Sequence, residues 1–107
     1  MPRKIEQRAT ASTDVDLLWD YIAFGNPTSG DPRAADRVID AIRRTYDLLA
    51  EFPHKTQIAK IAGRDLFKTT VKGFKQYLII YRFDDETVEV LRVIRADLDW
   101  TRIIAEI

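Results

Sequence analysis

The 107-residue sequence predicts an α+β domain, with a helical hairpin laid on one face of an antiparallel sheet, and three observations predict it. Residues 74–83 place Tyr77, Ile79, Tyr81 and Phe83 on one side and Phe74, Leu78 and Ile80 on the other. A strand that is apolar on both sides belongs in the middle of a sheet. A second strand pattern, residues 87–94, follows after only Asp84-Asp85-Glu86, which folds it back antiparallel. Both helical patterns precede these strands, which is the grouping expected of α+β. The length suits one domain, 1–107, with a two-layer core.

From the start of the chain, residues 4–9 alternate Ile5, Gln7 and Ala9 with Lys4, Glu6 and Arg8, enough for a short strand. Ser12 or Thr13 then offers an N-cap, with Asp14 and Asp16 in the first turn, where the helix dipole favours negative charge. This helix runs to about Phe24 and stops at Gly25-Asn26-Pro27, where Gly25 can take the left-handed position and Pro27 prevents continuation. It carries two apolar stripes: Val15, Leu18, Trp19 and Ile22 on one, Leu17, Tyr21 and Phe24 on the other. One buried face needs only the first. Either the small domain wraps this helix deeply, or the second stripe is a surface for a partner.

After the loop Thr28-Ser29-Gly30, Asp31-Pro32 supplies an N-cap and a proline at the first helical position. Ala35, Val38, Ile39, Ile42, Tyr46, Leu49 and Phe52 recur at helical spacing, giving about five turns that end before Pro53. A loop this short makes the two helices an antiparallel pair. Residues 54–62 read as a polar, irregular crossing and Gly63 as a turn. Residues 66–71 alternate as a strand, and Lys72-Gly73 turns it into the central one. The tail, residues 97–104, predicts a short helix whose Trp100, Ile103 and Ile104 cap one end of the core. The expected order is strand, helix, helix, three-stranded meander and helical tail.

Seventeen lysines and arginines balance seventeen acids, so net charge gives no reason to expect nonspecific attraction to nucleic acid or membrane. The distribution is uneven. Residues 55–82 hold Lys55, Lys60, Arg64, Lys68, Lys72, Lys75 and Arg82 against the single acid Asp65. This is either a solvated sheet face with edge lysines or an anion-binding surface. The absence of cysteine excludes disulfides and thiolate nucleophiles and argues against a sulfur-ligated zinc. No segment has the length of a membrane span and the N-terminus lacks an apolar signal region, so the expected location is cytoplasmic. There is no His/Cys ligand spacing, no glycine-rich phosphate loop and no serine with a base, so neither metal nor cofactor is expected.

Several motifs resemble the ParE branch of the RelE/ParE toxin superfamily, small bacterial proteins of type II toxin-antitoxin systems. The first helix carries Ala11, Asp14, Val15, Leu18, Trp19 and Tyr21 in the A-x-x-D-[LV]-x-x-[IL]-W-x-Y pattern. The second opens with Ala34-Ala35-Asp36 and closes with Leu48-Leu49-Ala50-Glu51-Phe52-Pro53. Gly63-Arg64, Tyr81-Arg82 and the run Val88-Glu89-Val90-Leu91-Arg92-Val93-Ile94 follow in family order, the resemblance covering residues 11–99. Arg95 stands where the family commonly has histidine, Leu98-Asp99 where it has an R-D pair, and Thr56 near the place of a frequent glycine.

The resemblance implies a non-enzymatic toxin that blocks DNA gyrase by protein binding, associated with plasmid stabilisation. It also implies neutralisation by a cognate, ParD-like antitoxin whose flexible C-terminal segment wraps the toxin. Leu17, Tyr21 and Phe24 are the expected antitoxin-binding residues, left partly exposed in the free chain, and Arg92, Arg95 and Trp100 the target-binding ones. The alternatives are a RelE-like, metal-independent endoribonuclease acting on ribosome-bound mRNA, and an inactive member that only binds antitoxin. A nuclease would draw on Lys68, Arg82, Arg92 and Arg95, with Lys72 near the RNA. An arginine cannot normally exchange protons near neutral pH. The sole histidine, His54, has no second titratable group beside it in sequence and reads as a surface or capping residue. Tyr77 and Tyr81 read as core residues.

Overall fold

In the computed structural model the chain is described over residues 2–25 and 30–107. Strand β1 (Lys4–Gln7) leads into α1 (Ala9–Asp20), which continues as one wider, π-type turn, Tyr21–Gly25. Next come α2 (Pro32–Glu51), β2 (Thr56–Ile61), β3 (Arg64–Val71), β4 (Phe74–Phe83), β5 (Thr87–Arg95) and α3 (Trp100–Ile104). The sheet order is β1-β5-β4-β3-β2, with β1 parallel to β5 and the other pairs antiparallel. The doubly apolar β4 is thus the middle strand.

The two helices run antiparallel on one face of the sheet. Trp19, near the end of α1, donates from Nε1 to Asp36, near the start of α2, at 3.0 Å. At the other end the Tyr46 hydroxyl donates to Gln7 Oε1 at 2.6 Å. Beneath them Ala11, Val38, Ile42 and Leu49 pack against Phe67, Ile79, Tyr81, Val88, Val90 and Val93. Asp31 caps α2 by accepting from the Arg33 N–H at 2.9 Å, with Pro32 at the first helical position, as its sequence predicts. Thr45, the buried polar residue of α2, donates to the Ala41 carbonyl and accepts the Lys72 N–H at 3.0 Å, which ties the β3–β4 turn to the helix.

A bulge in β5 divides its side chains between two cores. Ile80 is opposite Arg92 but Tyr81 is opposite Val90, so Leu91 is an extra residue and the alternation changes phase. Val88 and Val90 before the bulge and Val93 after it all face the helices. Leu91 and Ile94 join Leu66, Leu78, Ile80 and Ile104 in a second core on the opposite face. There α3 lies over the sheet, so Trp100, Ile103 and Ile104 cover a face rather than cap an end.

Three expectations are corrected here. Residues 54–62 contain a strand, β2, making the antiparallel meander four-stranded; as an edge strand with a bulge between Gln57 and Ala59 it shows no clean alternation. Helix α1 starts at Ala9, not after Ser12 or Thr13, because the chain turns over the edge of β5 as soon as β1 ends; the Arg8 N–H donates to the Val90 carbonyl at 3.0 Å. Gly25 has no positive φ; it ends the π-type turn, and a Cβ there would stand 3.1 Å from the Tyr21 ring. The second apolar stripe of α1 is left exposed, as the reading of Leu17, Tyr21 and Phe24 as a partner surface expects. The predicted stop at Asn26-Pro27 and loop residues Thr28-Ser29 lie outside the described residues.

The β2–β3 hairpin turns on Ala62 (φ 52°) and Gly63 (φ 77°). Both positions of this two-residue loop are left-handed, which favours Asn-Gly and strains an alanine. Ala62→Asn is expected to raise stability by about 0.5–1 kcal/mol, read as a higher urea midpoint at unchanged slope.

Candidate functional site

The most exposed apolar surface of the described residues is on α1 and its π-type turn. Leu17 is 62% exposed, Tyr21 53% and Phe24 69%. At spacings of four and three residues they share one outward face, while Val15, Leu18 and Ile22 turn inward onto the helix-side core. Phe24 is steadied by an edge-on contact with Trp19, ring centroids 5.5 Å apart. A smaller apolar pair, Leu48 and Phe52, is exposed at the end of α2.

Arg95 belongs beside this stripe. It is opposite Tyr77 in the sheet, and cross-strand partners point to one face, here the helix side. Burial and then the neighbouring Tyr21 push the Tyr77 hydroxyl above its ordinary pKa, while the Arg95 charge pulls the other way. Arg95 also contacts Asp97 at 3.2 Å. Gln76, Tyr77, Arg95, Ala96 and Asp97 line an open cleft of about 510 Å³.

The other basic candidates are on the opposite face. Lys68, Ile80 and Arg92 are cross-strand partners on β3, β4 and β5, so Lys68 and Arg92 flank Ile80 in one row. The Lys68 ammonium is 4.9 Å from the centre of the Trp100 ring, a cation–π contact. Arg92 is held differently. Its Nε and Nη2 donate to the two Asp14 oxygens at 2.7 and 3.0 Å, and the Val93 N–H donates to the same carboxylate at 3.0 Å. That bidentate bond to Asp14 raises the Arg92 pKa further. Asp14, expected to complement the helix dipole, instead fastens α1 to β5.

Arg82 is opposite Glu89 and donates to it twice, at 3.2 and 3.0 Å. The same carboxylate receives Arg8 Nη1 at 2.9 Å and has Arg64 Nη1 at 3.9 Å. Burial pushes the Glu89 carboxyl up, but the Arg82 hydrogen bond and the charges of Arg82, Arg8 and Arg64 outweigh it and leave the pKa below its ordinary value. Arg8 and Glu89 lie outside the basic stripe that marks Arg64 and Arg82 in the sequence. Arg8 and Glu89 are 81 residues apart, and the basic stripe at residues 55–82 was the only signal, through Arg64 and Arg82.

Burial raises both Tyr46 and Tyr81 well above the ordinary tyrosine range, so neither phenol is an acid near neutrality. His54 is exposed, its ring edge-on to Phe83 at 4.8 Å. Among the described residues no group of three or more His, Cys, Asp or Glu is placed to hold a metal ion. Nor, among them, is any helix long and apolar enough to cross a membrane.

A short parallel strand, a helical hairpin on one sheet face and a four-stranded antiparallel meander make up this α+β fold. The family model described as the ParE toxin of the type II toxin-antitoxin system parDE matches residues 5–100, and the chain belongs to that family. A chain of the chromosomal ParDE system from P. aeruginosa shares the fold at TM-score 0.62 and 14% identity, covering 89% of this chain and 97% of its own. The toxin-antitoxin complex RelBE2 from Mycobacterium tuberculosis supplies another match, at TM-score 0.50 and 22% identity, covering 89% and 99%. No curated protein matches the chain in sequence.

Two substitutions test the ion pairs. Asp14→Asn, which keeps the shape but loses the charge, is expected to cost about 2–3 kcal/mol in urea unfolding. Glu89→Gln is expected to cost about 1–3 kcal/mol at neutral pH. Because the folded carboxyl titrates below the unfolded one, its stabilisation is present above about pH 4.3 and is lost as pH falls through the lowered folded value. The stabilities of the two proteins should therefore converge in acid, read from pH-dependent melting; a constant gap would contradict it.

Proposed function

We propose that this ParE-family chain is a cytoplasmic growth-arresting toxin that binds DNA gyrase and is neutralised when a flexible ParD-like antitoxin segment covers Leu17, Tyr21 and Phe24. The observation that carries the antitoxin contact is the exposure of those three side chains on one face. Their inward neighbours complete the helix-side core without them. A segment that folds on binding gains the apolar burial it lacks alone by covering such a stripe. The two solved relatives come from a ParDE system and a RelBE2 toxin-antitoxin complex, which supports a partner of this kind.

Binding rather than RNA cleavage is supported by the side chains available. The candidates for a nuclease are divided between two faces, with Arg95 on the helix side and Lys68, Arg82 and Arg92 opposite. Arg82 and Arg92 are engaged by carboxylates, and the buried tyrosines hold their protons. An in-line attack by a ribose hydroxyl needs a proton acceptor and donor near the phosphate. The Tyr21-Tyr77-Arg95 surface, next to the apolar stripe, is the better candidate for the target contact, so that antitoxin and gyrase compete for adjoining ground.

Expression in bacteria, with DNA supercoiling and transcript integrity followed together, tests this. Growth arrest with gyrase inhibition and intact transcripts is expected; specific transcript cleavage with normal supercoiling would instead establish the ribonuclease reading, and normal growth with soluble protein the inactive one. Leu17→Asp with Phe24→Asp is expected to weaken antitoxin binding about a hundredfold or more by titration calorimetry, while the free toxin remains folded.

A further inference from the structure

The last two turns of α2 carry exposed charges beside exposed apolar groups. Arg44, Asp47, Leu48 and Glu51 line an open cleft of about 520 Å³ together with Lys72 of the β3–β4 turn. Among the described residues, none of Arg44, Asp47, Glu51 and Lys72 is in an ion pair within the chain. Leu48 is 37% exposed, and Phe52, four residues on, is 61% exposed.

The arrangement is unfavourable for a helix standing alone. Asp47 and Glu51 are four residues apart, so two like charges are neighbours on one helix face. Both are near the C-terminal end of α2, where the helix dipole favours cations, and the last turn holds no basic residue to offset them. Lys72 is fixed close by, because its N–H is bonded to Thr45 at 3.0 Å, yet its ammonium is paired with neither acid. The patch thus presents two acids and two cations around Leu48, with the charge of each available to a neighbour.

We propose that this face of α2 docks a second copy of the chain, about a two-fold axis through Leu48. A two-fold interface sets one patch against itself, so it forms where the patch is complementary to itself. With the two α2 helices antiparallel, Arg44 of one copy comes opposite Phe52 of the other and beside its Glu51. Two equivalent Arg44–Glu51 pairs then flank a Leu48–Leu48 contact, and the Arg44 stem covers the Phe52 ring. Lys72 brings a further cation toward the same acids. A partner of a single charge sign would set two of the four charges against their like, so the mixed patch favours a copy of itself over an acidic or a basic segment. Its few apolar groups suit a concentration-dependent dimer rather than an obligate one. The patch shares no residue with Leu17, Tyr21 and Phe24 and stands apart from the identity of the toxin's target.

Sedimentation equilibrium of the full chain, from micromolar to millimolar concentration, tests this. A monomer–dimer equilibrium that weakens with added salt is expected. Leu48→Asp should weaken self-association about tenfold or more, as should Arg44→Glu and Glu51→Arg singly. The double variant Arg44→Glu with Glu51→Arg rebuilds the pairs with their signs exchanged and should restore it. Because all three positions are exposed, circular dichroism of each variant should match that of the parent chain. A chain that stays monomeric throughout would overturn the proposal. So would a dimer indifferent to Leu48→Asp, such as one held by the α1 stripe and lost in Leu17→Asp with Phe24→Asp. A monomer whose affinity for the cognate antitoxin falls on Leu48→Asp would give the patch to the antitoxin and overturn it equally.

Discussion

The Asp14 carboxylate holds the two layers of this protein together. Strand β1 covers β5 only from Thr87 to Val90, which leaves the remainder of that edge with unpaired backbone donors. A buried or half-buried N–H without a partner is costly. Asp14 accepts the Val93 N–H and grips the preceding residue, Arg92, with both oxygens. A helix side chain thus completes what the short strand leaves unfinished. The parallel β1–β5 pairing depends on it too, because the chain must leave β1, cross the edge and pack α1 in one continuous move.

The β5 bulge is the second constraint, and it sets where charge can go. Simple alternation would put Arg92 on the side of Val88 and Val90, inside the helix-covered core. The extra residue at Leu91 places Arg92 opposite Ile80 instead, on the other face. There it stands in the half of the molecule that also carries Lys68, Arg64 and Arg82, while three valines remain for the helices to cover. A chain with equal numbers of acids and bases acquires a basic sheet face in this way.

Features decided by neighbours in sequence could be read from the sequence. The start of α2 at Asp31-Pro32, the Lys72-Gly73 turn and the doubly apolar β4 each rest on a few adjacent residues, and each stands where expected. Features decided by distant pairing could not. Strand β2 is an edge, so its side chains answer to solvent as much as to the core, and its pattern is polar and broken by a bulge. Asp14 and Arg92 are 78 residues apart, and an acid near a helix start reads locally as a complement to the helix dipole, whereas α1 begins at Ala9 and leaves Asp14 beyond its first turn. Arg92 and Arg95, three residues apart, fall on opposite faces by simple alternation; the bulge decides which face each takes, and that is invisible in the sequence. For the candidate surface, the stripe of Leu17, Tyr21 and Phe24 was legible as an excess of apolar residues, because helix periodicity is local; the grouping of Arg8 with Arg64 and Arg82 required the sheet.

That the excess stripe remains uncovered follows from how the layers close. The inward residues of α1, Ala11, Val15, Leu18 and Ile22, already meet α2 and the sheet, and the Trp19 N–H is satisfied by Asp36. Covering Leu17, Tyr21 and Phe24 as well would need a third layer on the helices, which the chain spends instead on the far side of the sheet as α3. An apolar face left open by a complete core adds little to folding, and its burial is therefore available to whatever binds there. A disordered partner segment loses conformational freedom on docking, so it needs concentrated apolar contact to bind tightly. In the proposed antitoxin contact, the three large exposed side chains on one helical face would supply it.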